Sequence, residues 1–105
     1  MKINALMIDE TDNVVTCVEE VPAGSEVFYR KGNEILSVKA IDDIPYCHKV
    51  ALKDFAAGDD VIKYGESLGK TNMAVKAGGW LWDGNMHSVP RDYDSEMIDL
   101  TGGNE

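Results

Sequence analysis

The 105-residue sequence has few of the residues that build metal centres and disulfide frameworks. It contains two cysteines and two histidines, and no CxxC pair. Cys17 and Cys47 lie far apart in the chain, which excludes zinc-finger and thioredoxin-type motifs. We expect both cysteines to be reduced, small and buried, as in a cytoplasmic protein, and we assign neither to catalysis. No metal site is expected on this chain.

Long apolar segments and excess basic charge are also missing. The longest purely apolar runs have three or four residues, against the ~20 that span a bilayer, and MKINALMIDE lacks the apolar core of a signal peptide. Ten basic residues face 19 acidic ones, a net charge of -9. Such a field repels nucleic acid and anionic lipid. We therefore expect a cytoplasmic chain whose main partner is neither nucleic acid nor membrane.

The sequence also lacks the periodic spacing of apolar residues that is typical of helices. Instead, short runs rich in β-forming residues alternate with turn residues, which predicts a mostly β domain with little helix. The predicted strands are 3–8, 14–18, 27–30, 35–38, 50–55, 61–64 and 73–75. We assign 1–90 to one domain and 91–105, with one basic and five acidic residues, to a flexible acidic tail.

One pattern recurs three times: Ala-Gly, two further residues, then an apolar side chain. Its glycines are Gly24, Gly58 and Gly78. Glycine reaches a positive φ without steric cost, so each copy predicts a tight corner between strands, although Ala-Gly is also a common dipeptide. Two further glycines stand apart: Gly65 suits a turn, and Gly69 suits a bulge or the close approach of another backbone.

The densest motif runs from His48 to Lys70. It contains His-Lys-Val-Ala-Leu at 48–52, Ala-Gly-x-x-Val-Ile-Lys-Tyr-Gly-Glu at 57–66 and then Gly69, with Asp-Asn-Val upstream at 12–14. This string resembles the SAF-type small domain of the altronate/galactarate dehydratase family, which includes the sulfolactate sulfo-lyase small subunit. The resemblance covers about residues 8 to 80.

The resemblance implies a compact β-clip fold that is fused to, or associated with, a much larger catalytic portion. Family members are lyases that eliminate water, or sulfite, from hydroxylated or sulfonated carboxylic acids, and the dehydratases use a divalent metal, typically iron. We thus expect a small subunit acting on a carboxylate, with a large dehydratase-like partner that holds the metal. A non-catalytic carbohydrate-binding or assembly module and a structural homo-oligomer are the alternatives.

The sequence departs from the family at its C-terminal corner. Altronate-type and sulfo-lyase-type members usually read Val-His-x-His-Asn, whereas this chain has Leu-Trp-Asp-Gly-Asn at 81–85. A His-x-His metal contribution therefore cannot be transferred, and Asn85 alone remains as a candidate substrate-binding residue. The Trp80-Leu81 pair is more similar to the galactarate-type domain.

The remaining candidates are His48, Lys49 and Lys53. In an extended strand, His48 shares a face with the apolar side chains while the two lysines share the other face. The resemblance favours His48 as the catalytic residue, acting as acid/base, substrate contact or ligand; a structural histidine is the alternative. Lys49 and Lys53 either bind a substrate carboxylate or an acidic partner surface, or are simply solvated.

Trp80 and Trp82, two residues apart, should lie on the same side of a strand. Such an aromatic pair suits a protein interface or a sugar-stacking surface. In the alternative interpretation, one ring packs in the core and the other is half covered.

Overall fold

The computed structural model describes residues 2–88, which form nine short β-strands and no helix. The strands are β1 (Ala5–Leu6), β2 (Val14–Cys17), β3 (Glu26–Lys31), β4 (Glu34–Lys39), β5 (Lys49–Ala51), β6 (Asp60–Lys63), β7 (Glu66–Thr71), β8 (Trp80–Leu81) and β9 (Met86–His87). The mostly β prediction is confirmed. No helix among these residues could cross a membrane. The predicted tail, 91–105, lies outside the described residues.

One predicted strand is wrong, and one of the observed strands was not predicted. The apolar run 73–75 is not a strand, and only Val75 pairs, through a single bridge with Phe55. The polar stretch Glu66–Thr71, which carries no β-rich signal, is strand β7. It forms because a two-residue turn at Tyr64 and Gly65 returns the chain along β6.

All the strand pairs are antiparallel and belong to three small sheets. The largest has the order β1-β2-β5-β8, β3 and β4 form a hairpin, and the third has the order β6-β7-β9. Alternation along the four-stranded sheet sends Val15 and Val50 into one hydrophobic cluster and Val14 and Ala51 into another. Both faces of this sheet are therefore covered.

The three predicted corners are confirmed. Gly24, Gly58 and Gly78 have φ values of 91°, 89° and 89°, and the amide after each glycine bonds to the carbonyl three residues earlier, at 2.9–3.1 Å. One more corner occupies 45–48, where Cys47 takes the glycine position at φ 70° and the His48 amide bonds to the Pro45 carbonyl at 3.1 Å. In chain order, the corners at Gly24, Cys47, Gly58 and Gly78 are the first, second, third and fourth. This turn places Cys47 at the surface.

The expectation that both cysteines are buried is thus wrong for Cys47, because the left-handed turn projects it into solvent. Cys17 is buried in the core, and both thiols are free. Burial raises the pKa of Cys17 to about 11, with a smaller contribution from the charge of Glu19.

The four corners reveal that one structural unit occurs twice. Bridges join the first corner to the second, Val21 with Ile44, and the third to the fourth, Phe55 with Val75. Each pair of corners encloses one hairpin, β3–β4 or β6–β7.

An asparagine clasps each of these hairpins in the same way. Asn4 accepts the Phe28 amide at 2.7 Å and donates to the Glu26 carbonyl at 3.1 Å. Asn13 accepts the Ile62 amide at 2.8 Å and donates to the Asp60 carbonyl at 3.0 Å. Matching hydrogen bonds at matching positions indicate a duplicated unit.

Asp12 fixes the tip of the β6–β7 hairpin. Its buried carboxylate accepts the backbone amides of Asp9, Tyr64 and Gly65 at 2.9, 3.2 and 2.9 Å. Tyr64 and Gly65 both have positive φ, at 59° and 73°, which confirms the predicted turn at Gly65. Asp12, like Asn13, therefore acts as a structural partner of the Val-Ile-Lys-Tyr-Gly string that lies about fifty residues away.

Gly69 permits the close approach predicted for it. A Cβ at this position would lie 2.0 Å from the carbonyl oxygen of His87 on β9. The β6–β7 register also shifts between Val61 and Ile62, because Val61 pairs with Gly69 and Ile62 with Ser67. Glycine at this bulge lets three strands pack together.

Candidate functional site

His48 is the last residue of the second corner, and its imidazole is hydrogen-bonded to Trp80. The Nε1–H of Trp80 donates to His48 Nδ1 at 2.9 Å, and the two rings meet edge to face with centroids 5.5 Å apart. The β5–β8 register pairs Val50 with Trp80, which brings the indole to the strand that follows His48. Both side chains are partly buried.

Trp82 stacks on Trp80, with centroids 4.8 Å apart and planes 13° apart. The two indoles lie on the same side, as predicted from their spacing. Trp80 packs against a hydrophobic cluster, whereas Trp82 is 43% exposed. This division agrees with the interpretation in which one ring is in the core and the other half covered. We call His48, Trp80 and Trp82 the aromatic platform.

Polar groups fix the backbone of the platform. Asn85 accepts the Trp82 amide at 2.9 Å and donates to the Trp80 carbonyl at 2.7 Å, so its side chain closes the loop that carries both indoles. Asp42 accepts the Trp80 amide at 3.0 Å. A Cβ on Gly84 would meet the Trp82 ring at 2.3 Å, so only glycine allows the ring to lie there.

The candidate lysines have neighbours of their own. Lys49 lies on β5 opposite Leu81 and Thr16, and its partial burial lowers its pKa, assisted by the charge of Lys63 and opposed by Asp83. The Lys53 ammonium lies 3.7 Å from an Asp59 carboxylate oxygen and 5.2 Å from the Phe55 ring centroid.

Two groups of candidates result. His48 and Asn85 converge on Trp80, whereas Lys49 has Lys63 and Asp83 as its electrostatic neighbours. Lys53 lies beside the third corner. Sequence reasoning did not identify Lys63 as a neighbour of Lys49, nor Trp80 as the partner of His48. Lys63 lies within the family string, so the sequence contained a signal for it. No local pattern predicts the contact between Trp80 and His48.

A groove of about 380 Å³ opens between the first and second corners. It is lined by Glu20, Val21, Pro22, Asp43, Ile44 and Pro45. Its two charged residues are acidic, and Asp43 already accepts the Ala23 amide at 2.9 Å. This groove would repel a carboxylate, so the acidic substrate expected from the resemblance does not suit it.

The side chains of residues 2–88 do not fit a metal ion. Within that range, no three His, Cys, Asp or Glu side chains lie where they could share one. The second histidine, His87, pairs with Asn72. A divalent metal would therefore need ligands from elsewhere.

The fold and the platform define a small, mostly β, SAF-like domain. The family model of the altronate/galactarate dehydratase SAF domain matches residues 3–89, and the chain belongs to this family. Within the match lie both corner pairs, both asparagine clasps and the aromatic platform.

Curated relatives share this domain. The chain is 33% identical over 85 residues to galactarate dehydratase (L-threo-forming) of Escherichia coli strain K12, a match covering 81% of this chain and 15% of that protein. It is 54% identical over 44 residues to (2R)-sulfolactate sulfo-lyase subunit alpha of Paracoccus pantotrophus, covering 42% and 63% of the respective chains. The corresponding subunit of Chromohalobacter salexigens is 32% identical over 81 residues, covering 74% and 86%.

The fraction of the relative that the match covers differs between the two kinds of protein. The chain corresponds to a minor part of the dehydratase but to most of a sulfo-lyase subunit. The domain thus occurs both inside a long protein and as most of a short subunit.

Proposed function

We propose that this chain is the small subunit, or the N-terminal portion, of a lyase that eliminates water or sulfite from a sugar acid or related hydroxy carboxylate, acting with a large catalytic chain. The relatives are a dehydratase and two sulfo-lyase subunits named alpha, which supports both the chemistry and a multi-subunit assembly. The observation that carries the proposal is the fixed His48. The family string contains His48, and its Nδ1 accepts a hydrogen bond from the Trp80 indole, so this contact does not use its Nε2.

In this proposal His48 contacts the substrate, Asn85 keeps the loop of the platform in place and contributes a substrate contact, and the large chain supplies the divalent metal, iron being expected. Lys49, with Lys63 beside it, supplies positive charge for a carboxylate, while Lys53 adds charge near the third corner. A local basic group matters because the chain as a whole has a charge of -9 and would repel an anion. A cytoplasmic location fits this metabolic role.

The test is co-expression with the large dehydratase-like chain, followed by assays of water loss from galactarate and altronate and of sulfite release from sulfolactate. His48→Ala should lower kcat about 100-fold or more with assembly intact, the range expected for a positioned polar group at a reacting centre. Lys49→Ala should mainly raise KM. His87→Ala is the matched control and should leave turnover unchanged. Full activity of His48→Ala, or robust turnover by the isolated chain with added iron, would contradict the proposal.

The exposed face of Trp82 favours a second candidate, a non-catalytic carbohydrate-binding or assembly module. A flat, half-exposed indole backed by a second indole provides a stacking surface for a sugar acid or a partner side chain. Tryptophan fluorescence of the isolated chain titrated with galactarate tests this function. Two results together would establish the binding module instead: saturable quenching that Trp82→Ala abolishes, and normal turnover of the assembled His48→Ala enzyme.

A further inference from the structure

We infer that Trp80 is a positioning residue that fixes the neutral His48 imidazole in its Nε2–H tautomer, so that His48 offers its ligand a hydrogen-bond donor and not a base. The tautomer follows from the geometry of this chain alone. Its consequence for the ligand rests on the proposed function.

Trp80 is the donor of its hydrogen bond with His48. Indole Nε1–H can only donate, so at 2.9 Å the His48 Nδ1 atom must present its lone pair. A neutral imidazole has one protonated and one unprotonated nitrogen. The proton of neutral His48 therefore resides on Nε2.

Trp80 cannot easily turn away. Its amide is bound by Asp42 and its carbonyl by Asn85, its ring is stacked on Trp82, and its strand is paired with β5. Moving the proton of His48 to Nδ1 would set two N–H groups against each other across 2.9 Å. The rigid indole thus selects one tautomer, in the way that second partners of histidine commonly do.

The tautomer limits the chemistry that neutral His48 can perform. With Nδ1 engaged by Trp80 and Nε2 protonated, neither nitrogen of the neutral ring has a free lone pair. His48 therefore neither removes a substrate proton nor ligates a metal in this state. It can donate from Nε2 to an oxygen acceptor, and a substrate carboxylate or hydroxyl oxygen fits that requirement. This replaces the acid/base and ligand roles that the sequence left open with a donor role.

The direct test uses the full chain labelled with ¹⁵N and long-range ¹H–¹⁵N correlation spectra at neutral to mildly alkaline pH. The expected result is an unprotonated Nδ1 and a protonated Nε2 for His48. Trp80→Phe keeps an aromatic ring but removes the donor, and should shift the His48 nitrogen resonances towards a tautomer mixture. Trp82→Phe is the matched control, which should leave them unchanged, and His87 is the internal reference. A protonated Nδ1 in the wild type, or no change in Trp80→Phe, overturns the inference.

A second variant separates the donor role from the tautomer. Glutamine can accept through its carbonyl and donate through its amide, but it cannot act as a base. In the assembled enzyme, His48→Gln should retain at least about tenfold more activity than His48→Ala. Equal inactivity of the two variants would overturn the donor role. Because the spectra need no partner chain, an assembly without lyase activity would refute the proposed function while leaving the tautomer standing.

Discussion

Alanine substitution at the glycine corners provides a sharp test of the structure, because backbone strain and steric clash can be separated there. Gly24, Gly58 and Gly78 have φ values within 2° of one another. A Cβ added at Gly24 or Gly58 meets nothing within 4 Å, whereas at Gly78 it would lie 1.9 Å from the Lys39 carbonyl oxygen. The three variants therefore share one backbone cost and differ in one contact.

The backbone cost is modest. A non-glycine residue at positive φ costs about 1–2 kcal/mol, and the lower entropy of the unfolded alanine chain returns about 0.4–1 kcal/mol. Gly24→Ala should thus reduce the free energy of unfolding by about 1 kcal/mol.

The additional clash at Gly78 is severe. Its Cβ would be ~1.5 Å closer to the Lys39 oxygen than ordinary van der Waals contact, so one backbone must move. That movement disrupts the hydrogen bond from the Ile41 amide to the Gly78 carbonyl, 3.0 Å, and the one from the Gly78 amide to the Ala51 carbonyl, 2.8 Å. Two backbone hydrogen bonds at about 1–3 kcal/mol each, added to the strain, give a loss of roughly 4 kcal/mol or more.

Urea unfolding of the full chain, followed by tryptophan fluorescence, measures these differences. The Gly24→Ala midpoint should fall modestly, and Gly58→Ala should match it as the control. Gly78→Ala should be barely folded, since a domain of this size has about 5–15 kcal/mol in total. Equal midpoints for Gly78→Ala and Gly24→Ala would refute the placement of Gly78 against Lys39.

Three further predictions use the same chain. Asp12→Ala removes the acceptor of three backbone amides and should lower the free energy of unfolding by about 3 kcal/mol; a loss below about 1 kcal/mol in urea titrations would contradict its anchoring role. At mildly alkaline pH, an aromatic disulfide reagent that reacts with thiols should modify Cys47 quickly and Cys17 slowly, because burial and a pKa of about 11 keep the Cys17 thiol protonated. A fast phase that survives Cys47→Ser would contradict the burial of Cys17. The hydrogen bond and charge of Lys70 lower the pKa of Asp60 below its ordinary 3.8, so this stabilisation is complete above pH 3.8 and is lost as the pH falls through the lowered value. Asp60→Asn should therefore weaken the fall in urea midpoint on acidification, and an unchanged acid slope would count against the pair.

The sequence by itself determined the features that depend on local conformation and on short motifs. Turn residues between brief apolar runs specified a mostly β domain, and glycine at three repeated positions specified three corners, since only glycine adopts positive φ freely. The family string identified His48 as a site candidate, but it did not identify what holds the imidazole.

Only the tertiary structure decided the features that depend on residues distant in sequence. Strand β7 exists because β6 and β9 pair with it, although its own residues are polar. The second corner escaped detection because Cys47 takes the place of glycine there, held by a bond from its amide to the Cys17 carbonyl at 2.9 Å. Trp80 reaches His48 from 32 residues away through the register of β5 and β8, and sheet register is set by long-range packing that no local pattern records.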